Sequence, residues 1–76
     1  MRAFLKHVIE ALTEDHNQIA ITEVAGEKST IYEVRLSKPD FGKVIGKNGK
    51  TISAIRAIAG AVAAKDGRRI TVEVVD

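Results

Sequence analysis

The chain has 76 residues and a formal net charge of +2, with 45% hydrophobic side chains. Its length allows one small domain, and its hydrophobic content is sufficient for a core, which excludes a disordered tail. It contains no cysteine, so neither a disulfide framework nor a zinc knuckle is expected. No apolar run approaches the roughly 18 to 20 residues of a membrane span. The N-terminal residues also lack the apolar core of a signal peptide, so the sequence predicts a cytoplasmic protein without membrane contact.

The charge is unevenly distributed along the chain. Residues 1–37 carry four basic and six acidic side chains, whereas residues 38–76 carry eight basic and four acidic ones. The stretch from Lys43 to Arg56 contains four basic side chains and no acidic one. Such local positive charge in a nearly neutral chain indicates either a small polyanion-binding site or a solvated basic face.

The first half of the chain predicts a helix followed by a β-hairpin. Apolar residues recur at spacings of three and four from Phe4 to Leu12, which predicts a helix that ends before the polar segment 15–17. Residues 18–24 alternate as a strand does, and a second alternating strand runs through Tyr32 to Leu36. The short turn around Gly26 predicts that these two strands pair antiparallel.

The second half predicts two helices and a last strand. Asp40 is the expected N-cap of a short helix that ends near Ile45, where the sequence 46–49 has strong turn chemistry. A longer helix is expected from residue 50 or 51 to about residue 65, with Gly67 as its C-terminal stop. Its expected buried face consists of Ile52, Ile55, Ile58, Ala59 and Val62. The last strand follows, with alternating Ile70, Val72 and Val74.

The resulting element order is α-β-β-α-α-β. About 30 residues with two helices separate the second and third strands, so a right-handed crossover is expected to make them parallel neighbours. The sequence therefore predicts an α+β fold, a two-layer sandwich with three helices on one face of a three-stranded mixed sheet.

The turn Gly46-Lys47-Asn48-Gly49 between the two helices is the strongest candidate for a functional site. Glycines let the backbone approach a ligand closely, and the positive end of the following helix faces the turn. Together with Lys47 and Lys50, these features suit a phosphate or a phosphodiester backbone. From the four residues alone, a corner that serves only tight packing is equally expected.

Two other phosphate-binding motifs do not fit. The sequence Gly49-Lys50-Thr51 matches the end of a P-loop, but Val44 stands where that motif requires glycine, and a helix precedes it instead of a strand. The dinucleotide-binding fingerprint lacks its third glycine. Neither a catalytic triad nor a metal-ligand cluster is recognisable. The sequence therefore predicts no enzyme, no cofactor and no metal.

The extended sequence around the turn resembles the signature of the KH domain family. It reads Val44-Ile45-Gly46-Lys47-Asn48-Gly49-Lys50 and is followed by Ile52 and Ile55. The order α-β-β-α-α-β is the type II arrangement of that family, and the resemblance covers essentially all 76 residues. The whole chain resembles small bacterial RNA-binding proteins with one KH domain. It implies a single KH domain over residues 1–76 that binds about four nucleotides of single-stranded RNA, as an RNA chaperone or post-transcriptional regulator.

The resemblance also implies roles for individual residues. Gly46 and Gly49 would give backbone access, while Lys47 and Asn48 would contact phosphate or sugar. The other implied RNA-binding residues are Lys50 and Lys43 as added charge, Val44, Ile45 and Ile52 as the apolar groove floor, residues 34–36 as the opposite wall, and Arg35 with Lys38 at the rim. For Ile45 and Ile52, core packing is the competing expectation.

A stripe of small residues on the longer helix is the second candidate surface. It consists of Ala54, Ala57, Ala61 and Ala64, which are also simply good residues for an exposed helix. The resemblance favours association, either as a homodimer or with another KH-containing RNA-binding protein. The alternative function is accordingly a protein-interaction module on a KH scaffold with little RNA affinity of its own. Lys47 favours RNA binding, because an acidic turn would indicate its loss.

Overall fold

The structure, a computed structural model, describes residues 1–75. Its helices and strands follow the predicted order, with boundaries shifted by a few residues. They are α1 Arg2–Leu12, β1 Ala20–Ala25, β2 Ser29–Arg35, α2 Lys38–Ile45, α3 Lys50–Lys65 and β3 Arg69–Val75, with 3₁₀ turns at His16–Gln18 and Lys47–Gly49. No helix within residues 1–75 combines the length and the apolar character that a membrane crossing requires.

The sheet has the order β1-β2-β3, with β2 in the centre. β1 pairs with β2 antiparallel, so that Val34 lies opposite Ile21, and β3 pairs with β2 parallel, so that Val34 also lies opposite Val74. These pairings confirm both the predicted hairpin and the predicted crossover. β1 and β3 each keep one edge free of strand partners within the described chain.

All three helices cover one face of the sheet, as predicted. Alternate side chains of β2 point into the core, where Tyr32 and Val34 are buried, while Ile31 and Arg35 on the other face are exposed. Burial of each large aliphatic side chain contributes about 1.5 to 3 kcal/mol to stability. The core cluster combines Leu5 and Ile9 of α1, Val44 of α2, Ile52, Ile55 and Ala59 of α3, Tyr32, Val34 and Val72 of the sheet, and Leu36.

The predicted buried face of α3 is partly wrong. Ile58 and Val62 are 54% and 44% exposed, and Ala59 and Ala63 are buried in their place. Because successive helical residues are rotated by about 100°, the row through Ala59 and Ala63 faces the sheet and places Ile58 and Val62 on the flank. The two small alanines let α3 lie close to the strands. Two large apolar side chains therefore remain in solvent.

Helix α2 begins earlier than predicted, and Asp40 is not its N-cap. Ser37 occupies the N-cap position, whereas Asp40 lies buried in the first turn. Its carboxylate accepts the backbone N–H groups of Asp15, at 2.9 Å, and Glu14, at 3.2 Å. These hydrogen bonds, the one from Asp15 above all, hold the pKa of Asp40 below its ordinary value despite burial. Asp40 thus fastens the segment after α1 to the start of α2.

Candidate functional site

Gly46 ends α2 in a backbone conformation that other residues scarcely adopt. Its φ is 76° and its ψ is 173°, a region that is essentially restricted to glycine. A Cβ at this position would overlap the hydroxyl of Thr51 and lie 2.6 Å from the Thr51 Cβ. The first glycine of the turn is therefore required by its backbone angles and by the close approach of α3.

The turn itself is closed by a hydrogen bond from the Gly49 N–H to the Gly46 carbonyl, at 3.2 Å. Its third residue, Asn48, has a φ of 57° and is the only non-glycine residue of 1–75 with positive φ. Asparagine tolerates this conformation better than most residues. Gly49 is also left-handed and occupies the N-cap position of α3, where no side chain caps the helix. The amides and the positive end of α3 therefore face the turn without a side-chain acceptor.

Three polar side chains surround this helix end. Lys47, Asn48 and Lys50 are exposed, and neither lysine forms an ion pair with any acid in residues 1–75. Beside them, Ile45 is half-buried and packs against the core with part of its side chain. The structure thus brings two free positive charges, an amide and an apolar surface together around the predicted turn.

Two of the predicted groove residues lie beneath the surface. Val44 has no exposed area and Ile52 is 5% exposed. Both belong to the core cluster. They therefore anchor the two helices that flank the turn and do not present a surface to a ligand. Ile45 alone keeps the exposure that the groove floor requires.

Two of the predicted basic contacts have acidic partners within the chain. Lys43 Nζ lies 3.2 Å from Glu14 and 3.5 Å from Asp40, and the hydrogen bond to Glu14 is the main reason that the pKa of Lys43 is raised. Arg35 lies 3.4 Å from Glu33 on the sheet face that the helices leave open. Arg35 is therefore not brought together with the turn, which lies on the helical side.

The predicted opposite wall at residues 34–36 is wrong. Val34 and Leu36 are buried, and β2 is the central strand, so that strands pair with it along both edges. Its backbone groups are therefore used within the sheet. Both α2 and α3 pack against β3, whose outer edge is free of strand partners. β3 is thus the strand beside α2 and α3 that offers unpaired backbone groups.

Arg56 lies at this free edge and was not predicted as a site residue. Its Nε donates to the carbonyl of Val72 on β3, at 3.0 Å, and its terminal guanidinium nitrogens keep further donors. The residue is exposed and forms no ion pair within the described chain. The sequence signal that could have identified Arg56 was its position in the basic stretch 43–56. The strand order is needed to place it beside the free edge of β3.

The element order, the parallel β2–β3 pair and the Gly-x-x-Gly turn between α2 and α3 define a KH domain of type II. The KhpA/KhpB KH-domain family model matches residues 2–74. RNA-binding protein KhpA of Chlamydia pneumoniae is 40% identical over 76 residues, which cover 100% of this chain and 97% of that protein. RNA-binding protein KhpA of Borreliella burgdorferi is 39% identical over 72 residues, 95% of this chain and 88% of that protein. RNA-binding protein KhpA of Clostridium acetobutylicum is 36% identical over 75 residues, 99% of this chain and 100% of that protein. The chain therefore belongs to the KhpA/KhpB family of KH domains.

Proposed function

We propose that this protein binds single-stranded RNA and acts in the cytoplasm as an RNA chaperone or post-transcriptional regulator, without catalysis. The observation that carries the proposal is the uncapped N-terminus of α3 behind a glycine-bracketed turn, with Lys47 and Lys50 free of acidic partners. Family membership supports the same function, since the curated relatives are named as RNA-binding proteins. In KH domains generally, the Gly-x-x-Gly turn clamps the backbone of about four nucleotides.

In the proposed complex, phosphates lie on the turn and bases extend toward β3. The amides of the turn and of α3 bind phosphate oxygens together with Lys47, Asn48 and Lys50. The bases lie over Ile45 and meet the free edge of β3, where Arg56 contributes donors for base or phosphate oxygens. Lys43 has a smaller role because Glu14 and Asp40 already neutralise its charge.

Single-stranded RNA should bind more tightly than duplex RNA of the same length and composition. The clamp needs unpaired base edges, and a duplex keeps them inside its stack. Fluorescence anisotropy with a labelled strand of about 12 nucleotides, alone and annealed to its complement, measures the difference, which we expect to be at least about tenfold in Kd. Equal or tighter binding of the duplex would contradict the groove assignment.

The exposed face of α3 supports a second part of the proposal, association with another KH domain. All four alanines of the predicted stripe, Ala54, Ala57, Ala61 and Ala64, are exposed. Ile58 and Val62 lie beside them and stay in solvent. Small residues allow close approach of another helix, while the two large side chains supply apolar area. We propose that this face forms a homodimer or binds another KH-containing protein, and pairing of two such modules raises RNA affinity by avidity.

The substitution Ala61→Glu should weaken self-association without unfolding the protein. Glutamate is a good helix former, and at position 61 it places a charge inside any close helix contact. Sedimentation velocity over a concentration series should show a dimer for the wild type and a monomer for the variant. Ala11→Glu, at an exposed alanine of α1, is the matched control and should remain dimeric. An identical concentration dependence for Ala61→Glu and wild type would exclude this face from self-association.

A further inference from the structure

A cluster of basic residues lies at the end of the molecule opposite the turn. It is formed by the β1–β2 turn and the α3–β3 turn and consists of Lys28, Lys65, Arg68 and Arg69; all four are exposed. Two hydrogen bonds hold these turns together. The Arg69 N–H donates to the Lys28 carbonyl at 3.1 Å, and Arg68 Nη2 donates to the Thr30 hydroxyl at 3.0 Å.

The charges of this basic cluster are not neutralised inside the protein. The ion pairs within residues 1–75 involve Arg2, Arg35 and Lys43 as cations and none of the cluster. The same two turns contain only Glu27 and Asp66 as acids, which leaves an excess of two positive charges. An excess of unpaired cations on two turns that are joined by hydrogen bonds indicates a binding surface for a polyanion.

The position of the cluster relates it to the proposed RNA site. α3 starts at the Gly-x-x-Gly turn and ends at Lys65, so its 16 residues separate the two sites by about 24 Å. Arg56 lies between them, against the free edge of β3. Basic residues therefore occur at the start of α3, in its middle and in the two turns beyond its end, where Arg68 reaches across to Thr30 of β2.

We propose that the basic cluster is a second phosphate-contact surface, which binds RNA that continues beyond the nucleotides held at the turn. This inference rests on the proposed RNA binding and extends its footprint. The contacts are electrostatic and made to phosphates, so they add affinity and salt dependence but no sequence preference. Short RNA engages the turn alone, and longer RNA engages both surfaces.

Binding should therefore depend on RNA length and on salt together. About three phosphate contacts at the turn give a slope of log K against log salt of roughly −2 for single-stranded RNA, and about three more at the cluster give roughly −4. Titrations of the full chain with unstructured RNAs of about 5 and about 12 nucleotides, over a range of salt concentrations, measure both slopes. The steeper slope is expected only for the longer RNA.

The variant Lys28→Glu/Arg69→Glu should remove this difference. We expect a loss of at least about tenfold in affinity for the longer RNA at low salt, and a change of less than about twofold for the shorter one. The single variant Lys28→Glu is compared with Lys6→Glu, which makes the same charge change at an exposed position of α1. Lys6→Glu should reduce the affinities for the longer and the shorter RNA by the same small factor. Arg68 is kept, because its loss would leave the buried Thr30 hydroxyl without its partner.

The outcomes separate the two proposals. Failure of both RNAs to bind would overturn the proposed function and this inference with it. Binding of both RNAs with one common slope, or a double variant that keeps wild-type affinity for the longer RNA, would overturn the second surface and leave the first intact. A loss that is equal for both RNAs would show a general charge effect and would also overturn it. Unchanged melting temperatures of the variants confirm that the fold is retained.

Discussion

The variant Lys47→Asp/Asn48→Asp should lose at least about tenfold in RNA affinity, equivalent to about 1.4 kcal/mol, with a nearly unchanged melting temperature. The two substitutions replace one positive charge and one neutral amide by two negative charges, at the point where the RNA backbone approaches the turn most closely. Repulsion then acts against the same phosphates that the α3 amides and Lys50 attract.

The turn should keep its shape in this variant. Lys47 and Asn48 are exposed, so their replacement removes no packing, and exposed substitutions usually change stability by less than about 0.5 kcal/mol. Asn48 has a φ of 57°, and aspartate shares with asparagine the ability to adopt this left-handed conformation. Both glycines stay in place, so a loss of binding cannot arise from a distorted backbone.

A matched control separates the local effect from the change in net charge. Lys6→Asp/Asn17→Asp makes the same two chemical changes at exposed positions of α1 and of the 3₁₀ turn His16–Gln18. It should bind RNA within about threefold of wild type, and aspartate inside α1 should cost at most about 0.7 kcal/mol of stability. Anisotropy titrations and thermal unfolding of both variants provide the comparison. Equal affinities for the two double variants would show that the turn is not the clamp.

The sequence was most informative where local chemistry decides the structure. The spacing of apolar residues predicted the elements, and the crossover argument predicted the parallel pairing of β2 with β3. The two glycines and Asn48 predicted the turn, because each has a positive φ that few other residues tolerate. The elements and the turn depend on residues near one another in sequence, and the crossover argument needs only the length and helical content of the segment between β2 and β3. All of these features can therefore be read without knowledge of the packing.

The sequence was less informative where distant segments decide the outcome. Ile58 and Val62 have the helical spacing of a buried face. In the structure α3 is rotated about its axis so that Ala59 and Ala63 are buried against the sheet instead. Asp40 has the chemistry of an N-cap, yet it binds amides of residues 14 and 15. The opposite wall of the groove was predicted at residues 34–36, just before α2. The strand order instead leaves a free edge on β3, where Arg56 donates to the carbonyl of Val72. Each of these outcomes is set by tertiary contacts that no local pattern encodes.

The two glycines of the turn differ in what they contribute, and alanine substitutions should separate them. Gly46→Ala should destabilise the protein by about 2 to 6 kcal/mol, because the backbone conformation, which is essentially restricted to glycine, and the contact with Thr51 each cost about 1 to 3 kcal/mol. Since about 1 kcal/mol corresponds to 4 to 8 °C for a domain of this size, the melting temperature should fall by at least about 8 °C.

Gly49→Ala should be much milder in its effect on stability. Gly49 has a φ of 73° and a ψ of 14°, a left-handed conformation that costs alanine about 1 to 2 kcal/mol, and nothing lies within 4 Å of an added Cβ. The open space beside Gly49 is the space that an approaching RNA backbone would use. Thermal unfolding and RNA titration of both variants should therefore show Gly46→Ala as the larger loss of stability and Gly49→Ala as a folded protein with weaker RNA binding. Similar melting temperatures for the two variants would mean that Thr51 relaxes at little cost and that Gly46 is not required by its contact with α3.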